Sequence, residues 1–201
     1  MLDTIYDLTP DAPHGPDSDA QDTCDLPASN PAIMIPAISA DGTLFPIEKI
    51  EAHKVGQHHL AISVFVFDGE RLLIQRRAMD KYHCGGQWAN TCCTHPHWGE
   101  TAEDAASRRL NEELGFTLPI SHRRTVEYSA DVGNGLWDRE RVDMFRAEAQ
   151  RNELIIPFNE DEVCDVRWVT PKELRQDIAA NPSDYTPWFR IYVNRYPELD
   201  F

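Results

Sequence analysis

With 201 residues, the chain has room for one sizeable domain and too few for two full ones. Its 34 Asp and Glu against 19 Lys and Arg give a net charge of −15, which argues against binding nucleic acid along a broad basic face, so an anionic ligand needs a local cluster of cations. No apolar run approaches the roughly 20 residues that span a bilayer, no basic start with an apolar core marks a secretory leader, and five cysteines, two of them adjacent, are a poor disulfide framework.

A cytoplasmic protein with free thiols, and with neither membrane nor nucleic acid as partner, is therefore expected. Residues 1–36, rich in Pro, Asp, Ser and Ala, bury too little to offset the entropy of ordering and predict a mobile tail ahead of one domain at 37–201. Asp41-Gly42 marks a turn before a short amphipathic piece carrying Lys49 and His53. The β-branched and aromatic run HLAISVFVF, His59 to Phe67, turns at Asp68-Gly69-Glu70 into RLLIQRR, which predicts a hairpin.

A helix is predicted from Thr101, where Thr101 and Asp104 have capping-box spacing, to Gly115. Ala102, Ala106, Leu110 and Leu114 form its core stripe, and Arg109, Glu112 and Glu113 share a neighbouring face suited to a metal bridging to phosphate oxygens, or else to plain i,i+4 pairing in solvent. Val142 to Ala147 and Val166 to Val169 read as further strands, and Pro171 to Ala180 as a helix entered from Thr170.

Before and through the first helix runs THPHWGETAEDAASRRLNEELGF, Thr94 to Phe116, which resembles the Nudix box: a Gly, five residues, a Glu, seven residues, Arg-Glu, an apolar residue, one residue, Glu-Glu, one residue and a Gly. Glu100, Arg108, Leu110, Glu112, Glu113 and Gly115 match, whereas Thr94 replaces the Gly and Arg109 a Glu. The segment WANTCCTHP from Trp88, RRAMDKYHCGGQW upstream and TPWF around Trp188 are similar, in this order, to the motifs of the type 1 isopentenyl-diphosphate isomerases, and the likeness runs from about Lys49 to Trp188. The resemblance implies an α/β (α+β) Nudix fold with a mixed sheet sandwiched between helices, an isoprenoid diphosphate as small-molecule substrate, and Mg²⁺ with a second divalent ion, Mn²⁺ or Zn²⁺.

Isomerising an unactivated alkene needs a proton delivered to one carbon and another taken from a neighbouring one, hence two protic groups in a dry pocket. The resemblance assigns them to Cys93, two residues before His95, and Glu140, with Tyr128 and Trp188 completing the pocket. It implies His53, His59, His95, Asp138 and Glu140 as metal ligands, with His58 a competitor for His59 and Asp138 standing where the family has Glu. Asp138 and Glu140 lie at i and i+2, so a strand would point both one way. Lys49, Arg77, Lys81 and Arg109 would grip the diphosphate, and Glu113 with the carbonyl of Cys93 would contact Mg²⁺. Competing readings are a Nudix diphosphatase, which has no need of Cys93, and a metal-binding module; monomer and homodimer are both open.

Overall fold

Strong β-formers on both sides of a turn make the centre of the fold. The computed structural model of the chain describes residues 2–4 and 32–199. There β4 (His59–Asp68) and β5 (Arg71–Arg77) pair antiparallel across the expected turn. The chain before them forms β1 (Leu2–Thr4), β2 (Met34–Ile38), β3 (Leu44–Glu48) and α1 (Lys49–Lys54). β2 thus begins inside the stretch that composition assigned to the tail, because Ile35 and Ala37 are fully buried apolar residues; the rest of that expectation, residues 5–31, lies outside the described residues.

β6 (Trp88–Ala89), β7 (Cys92–Thr94) and α2 (Ala102–Leu114) follow, and then a long antiparallel pair, β8 (Ser121–Gly133) and β9 (Leu136–Glu148). The expected strand at Val142 to Ala147 is only the far end of β9. β8 escaped the reading because SHRRTVEYSADVG is mostly polar and carries its apolar residues on one face of a half-exposed strand. β10 (Val163–Val169), α3 (Pro171–Ala180) and α4 (Pro187–Arg195) close the chain. The sheet runs β1, β8, β9, β4, β2, β3, with β5 and β7 also pairing along β4, and β10 and β6 along β5.

Helix ends follow local chemistry. Thr101 Oγ1 accepts from the Asp104 amide, Thr170 and Glu173 form a complete capping box, and Gly115 ends α2 at φ +74° against Pro157. Leu110, Leu114, Ala105 and Ala106 of α2 pack on Ile62, Val64 and Val66 of β4. The opposite face of the sheet is covered by Leu174 and Ile178 of α3 and by Phe189, Tyr192 and Val193 of α4, over Phe65, Val142 and Met144. The result is the expected α/β architecture, a mixed sheet between helices. Among the described residues, no helix is long and apolar enough to cross a membrane.

Candidate active site

The parallel pairing of β4 with β9 sets His59 opposite Glu140, and β8 sets Tyr128 opposite Glu140 and Ala130 opposite Asp138. Residues in register point to one face of a sheet, and alternate positions share it. His59 and Ser63 of β4, Tyr128 of β8, and Asp138 and Glu140 of β9 therefore point together. The pairing of β7 with β4 puts Cys93 opposite Ser63 and Cys92 opposite Val64. That one-residue difference sends Cys92 into the α2 core and Cys93 to the pocket wall shared with Glu140. It also separates the two candidate histidines, since His58 lies 3.9 Å from Glu127 while His59 is fully buried beside Glu140.

His53 donates from Nδ1 to the Lys49 carbonyl at 2.6 Å, and His59 from Nδ1 to the Gln57 carbonyl at 2.6 Å. A carbonyl only accepts, so both rings carry the proton on Nδ1 and present Nε2 as a lone pair. His59 Nε2 lies 3.1 Å from His95 Nε2, which is 3.0 Å from Glu140 Oε1. One atom each of His53, His59, His95 and Glu140 falls within 4.8 Å of the others, a grouping able to hold a metal ion. Imidazole and carboxylate donors suit a borderline divalent ion, and a ligand histidine ordinarily donates its far N–H to a carbonyl, as His53 and His59 do.

Asp138 lines the same pocket as Glu140 and shares the Tyr128 hydroxyl with it. It falls in a separate group with His53 and His83 rather than with His59, His95 and Glu140. Its shorter side chain leaves Oδ1 3.4 Å from His53 Nε2, and neither atom has a hydrogen-bond partner among the described residues. Burial and the neighbouring Glu140 charge push the Asp138 carboxyl well up, whereas for Glu140 burial is outweighed by the surrounding imidazoles, His95 donating from Nε2 to Oε1, and its carboxyl is held well below the usual range.

Lys49, Arg77, Lys81, Arg109 and Glu113 line the same pocket. Burial, then the charges of Arg109, Lys81 and Arg77, push Lys49 down to about 8. Glu113 is nearly buried, 2.8 Å from Arg109 Nε, and accepts from Gln75 Nε2 at 2.7 Å. Glu162, which no motif marked, accepts from Lys81 Nζ at 2.7 Å and from Arg109 Nη2. Glu112 turns outward to Arg108 and Arg109.

Burial pushes the Cys93 thiol up to about 12, so it holds its proton at neutral pH. Tyr128 donates to Glu140 Oε2 at 2.7 Å, with Asp138 Oδ2 at 3.2 Å, and Tyr192 packs edge-on to it at 5.8 Å. Trp188 lines the pocket and already has a cation at its ring, the Arg77 guanidinium 5.5 Å from the centroid. The remaining cysteines among the described residues are also unpaired. Tyr82, His83 and Tyr192 line the pocket without having been singled out in the sequence, although Tyr82 and His83 directly follow Lys81.

A NUDIX domain is recognised over residues 57–189. The chain is 54% identical over 162 residues to the isopentenyl-diphosphate Delta-isomerase of Dinoroseobacter shibae, covering 80% of this chain and 92% of that one. It is 49% identical over 169 residues to the enzyme of the same name from Rhodobacter capsulatus, covering 84% of this chain and 95% of that one. Among solved structures, a Deinococcus radiodurans protein superposes with a TM-score of 0.63 at 17% identity, over 81% of this chain and 98% of that one. A MutT NUDIX hydrolase from Burkholderia pseudomallei gives a TM-score of 0.54 at 21% identity, over 70% and 98% respectively. These two share the fold.

The two adjacent histidines make a direct comparison. His59→Ala should lower bound divalent metal measured by atomic emission after dialysis, while His58→Ala keeps the wild-type content. Loss from the His58 variant alone would reverse the assignment.

Proposed function

The chain belongs to the isopentenyl-diphosphate Delta-isomerases of the NUDIX family, and on that premise we propose that it converts isopentenyl diphosphate to dimethylallyl diphosphate with Cys93 and Glu140 as the proton-transferring pair. The observation that carries the reading is that Cys93, whose thiol burial keeps protonated, and Glu140, whose carboxyl is held low, line one pocket together with Lys49, Arg77, Lys81 and Arg109. Along β4, their partners Ser63 and His59 are four residues apart, about 13 Å at roughly 3.3 Å per residue. Side chains reaching inward from that separation leave a gap suited to a five-carbon alkene with one protic group at each end.

The four cations would grip the diphosphate through charge-assisted hydrogen bonds and so fix the hydrocarbon end between Cys93 and Glu140. One of the pair gives a proton to the terminal methylene carbon, and the other takes one from the carbon on the far side of the tertiary centre. In the reverse reaction the roles exchange. Tyr128 positions Glu140 through its hydrogen bond, and the face of Trp188 would lie against the tertiary cation, an interaction worth about 2 kcal/mol when desolvated. Burial of this wall keeps water from capturing that cation.

The donor set around His59 fits a divalent ion, and Mn²⁺ or Zn²⁺ held there by His53, His59, His95, Asp138 and Glu140 would supply the positive charge that keeps Glu140 ionised. Mg²⁺ held by Glu113 and the carbonyl of Cys93 would offset the charge of the diphosphate. Hydrolysis is the less favoured outcome, because Arg109 fills a box position where hydrolases carry a carboxylate and is paired with Glu113 and Glu162.

In deuterated water with isopentenyl diphosphate and Mg²⁺, the protein should yield dimethylallyl diphosphate with deuterium in its methyls and no free phosphate, and Cys93→Ala should lose turnover with its metal content unchanged. Phosphate without isomer would overturn the reading in favour of a hydrolase; full turnover by Cys93→Ala would remove that residue from the mechanism. Lys49 is charged below its lowered value and neutral above it, so KM for the diphosphate should stay flat up to about pH 8 and rise beyond it. Lys49→Arg should abolish the rise, and an equal rise in that variant would rule out Lys49 as its source.

A further inference from the structure

Three acidic residues in a row, Glu160, Asp161 and Glu162, precede β10; the first two are exposed, and only Glu162 turns inward. The backbone dictates this. The Asn159 amide donates to the Glu113 carbonyl of α2 at 2.9 Å, the amides of Glu162 and Val163 donate to the Asn159 carbonyl at 2.9 Å, and the Glu162 carbonyl accepts from the Ala78 amide at 3.0 Å. Val163 then pairs with Arg77 as β10 begins. Glu162 is thereby stapled between the end of α2 and the start of the β5 to β6 connection, which carries Lys81.

Its carboxylate joins two cations of the pocket. One oxygen, Oε2, accepts from Lys81 Nζ at 2.7 Å and from Arg109 Nη2, with the three side chains only 18% to 20% exposed. An ion pair on an open surface contributes little, but here a single oxygen serves two sheltered cations that would otherwise repel each other. Glu113 does not do the same work: its Oε1 lies 2.8 Å from Arg109 Nε, yet that nitrogen has no hydrogen bond among the described residues, and Glu113 instead accepts from Gln75. Lys81 and Arg109 line the pocket whereas Glu162 does not, so the carboxylate stands behind the cations. An anion in the pocket would meet their other N–H groups.

We propose that Glu162 is a positioning residue for the diphosphate: by holding Lys81 and Arg109 to one carboxylate oxygen, it keeps an ammonium and a guanidinium side by side and ready to receive a phosphate group together. Each cation gives Glu162 one of its N–H donors and keeps others for a ligand. Lysine and arginine side chains are costly to immobilise on binding, and a site that orders them beforehand loses less affinity to that cost. The single negative charge of Glu162 opposes the ligand weakly, because both cations lie between.

This inference rests on the proposed diphosphate grip, and titration calorimetry of inorganic pyrophosphate with Mg²⁺ on the full-length protein, beside steady-state kinetics, keeps the two apart. Glu162→Gln should weaken pyrophosphate binding and raise KM for isopentenyl diphosphate about tenfold, the loss of one charge-assisted partner, while kcat stays within about twofold. Glu162→Ala should do the same and serves as the test if circular dichroism shows the Gln variant misfolded. In a Lys81→Met background, where one of the two held cations is gone, adding Glu162→Gln should weaken pyrophosphate binding less than it does alone. Unchanged or tighter binding in the folded variants, a fall in kcat alone, or an equal loss in both backgrounds would overturn this inference and leave the grip standing. Pyrophosphate bound as tightly by Lys81→Met and Arg109→Gln as by wild type would overturn the grip, and this inference with it.

Discussion

The parallel register of β4 against β9 is the constraint on which the site depends. By setting His59 opposite Glu140, it turns Asp138, Tyr128 and Cys93 to the same face and sends Cys92 and Val64 to the other. A slip of one residue would exchange the two faces, burying Glu140 against α2 and exposing the core of β4 to the pocket. The packing of Leu110 and Leu114 on Ile62, Val64 and Val66 makes that slip costly, so the apolar core on one side enforces the chemistry on the other.

The polar side is held in a state that is costly for the fold alone. Two histidines are locked by backbone carbonyls as lone-pair donors and aimed at buried carboxylates, and several of these atoms lack partners among the described residues. Such a grouping is stabilised by cations and strained without them. Elsewhere on the pocket wall the sign reverses: Lys49, Arg77, Lys81 and Arg109 crowd together in a chain of net charge −15, and Glu113 and Glu162 hold Lys81 and Arg109 in place. The molecule thus concentrates positive charge where a diphosphate would sit, and carboxylates where a proton would leave.

Much of this was legible from local chemistry. Thr101 and Gly115 bracket α2 as their cap preferences require, the hairpin of β4 and β5 follows its alternation and turn, and α3 spans the expected residues. The choice between Cys92 and Cys93, or between His58 and His59, was open to motif likeness but acquires a physical reason only from strand register, a long-range property. β8 hid in a polar sequence, and Glu162 lies 53 residues beyond Arg109 in a segment with no marking pattern. His83 was passed over because a histidine beside a motif reads as an ordinary one until the fold shows which unpaired atoms surround it. Asp138 falls on the site's face as its i, i+2 spacing to Glu140 implies, whereas its approach to His53 comes from the packing of α1 against β9, which spacing cannot convey.

The central claim is that register gathers buried lone pairs into a centre that needs a cation. Its most direct test is urea unfolding of the wild-type protein stripped by chelator and then saturated with Mn²⁺. Saturation at a hundred times the dissociation constant should raise stability by about 2.7 kcal/mol, with most of the gain lost in His59→Ala. Identical midpoints for the stripped and Mn²⁺-saturated protein would contradict the account.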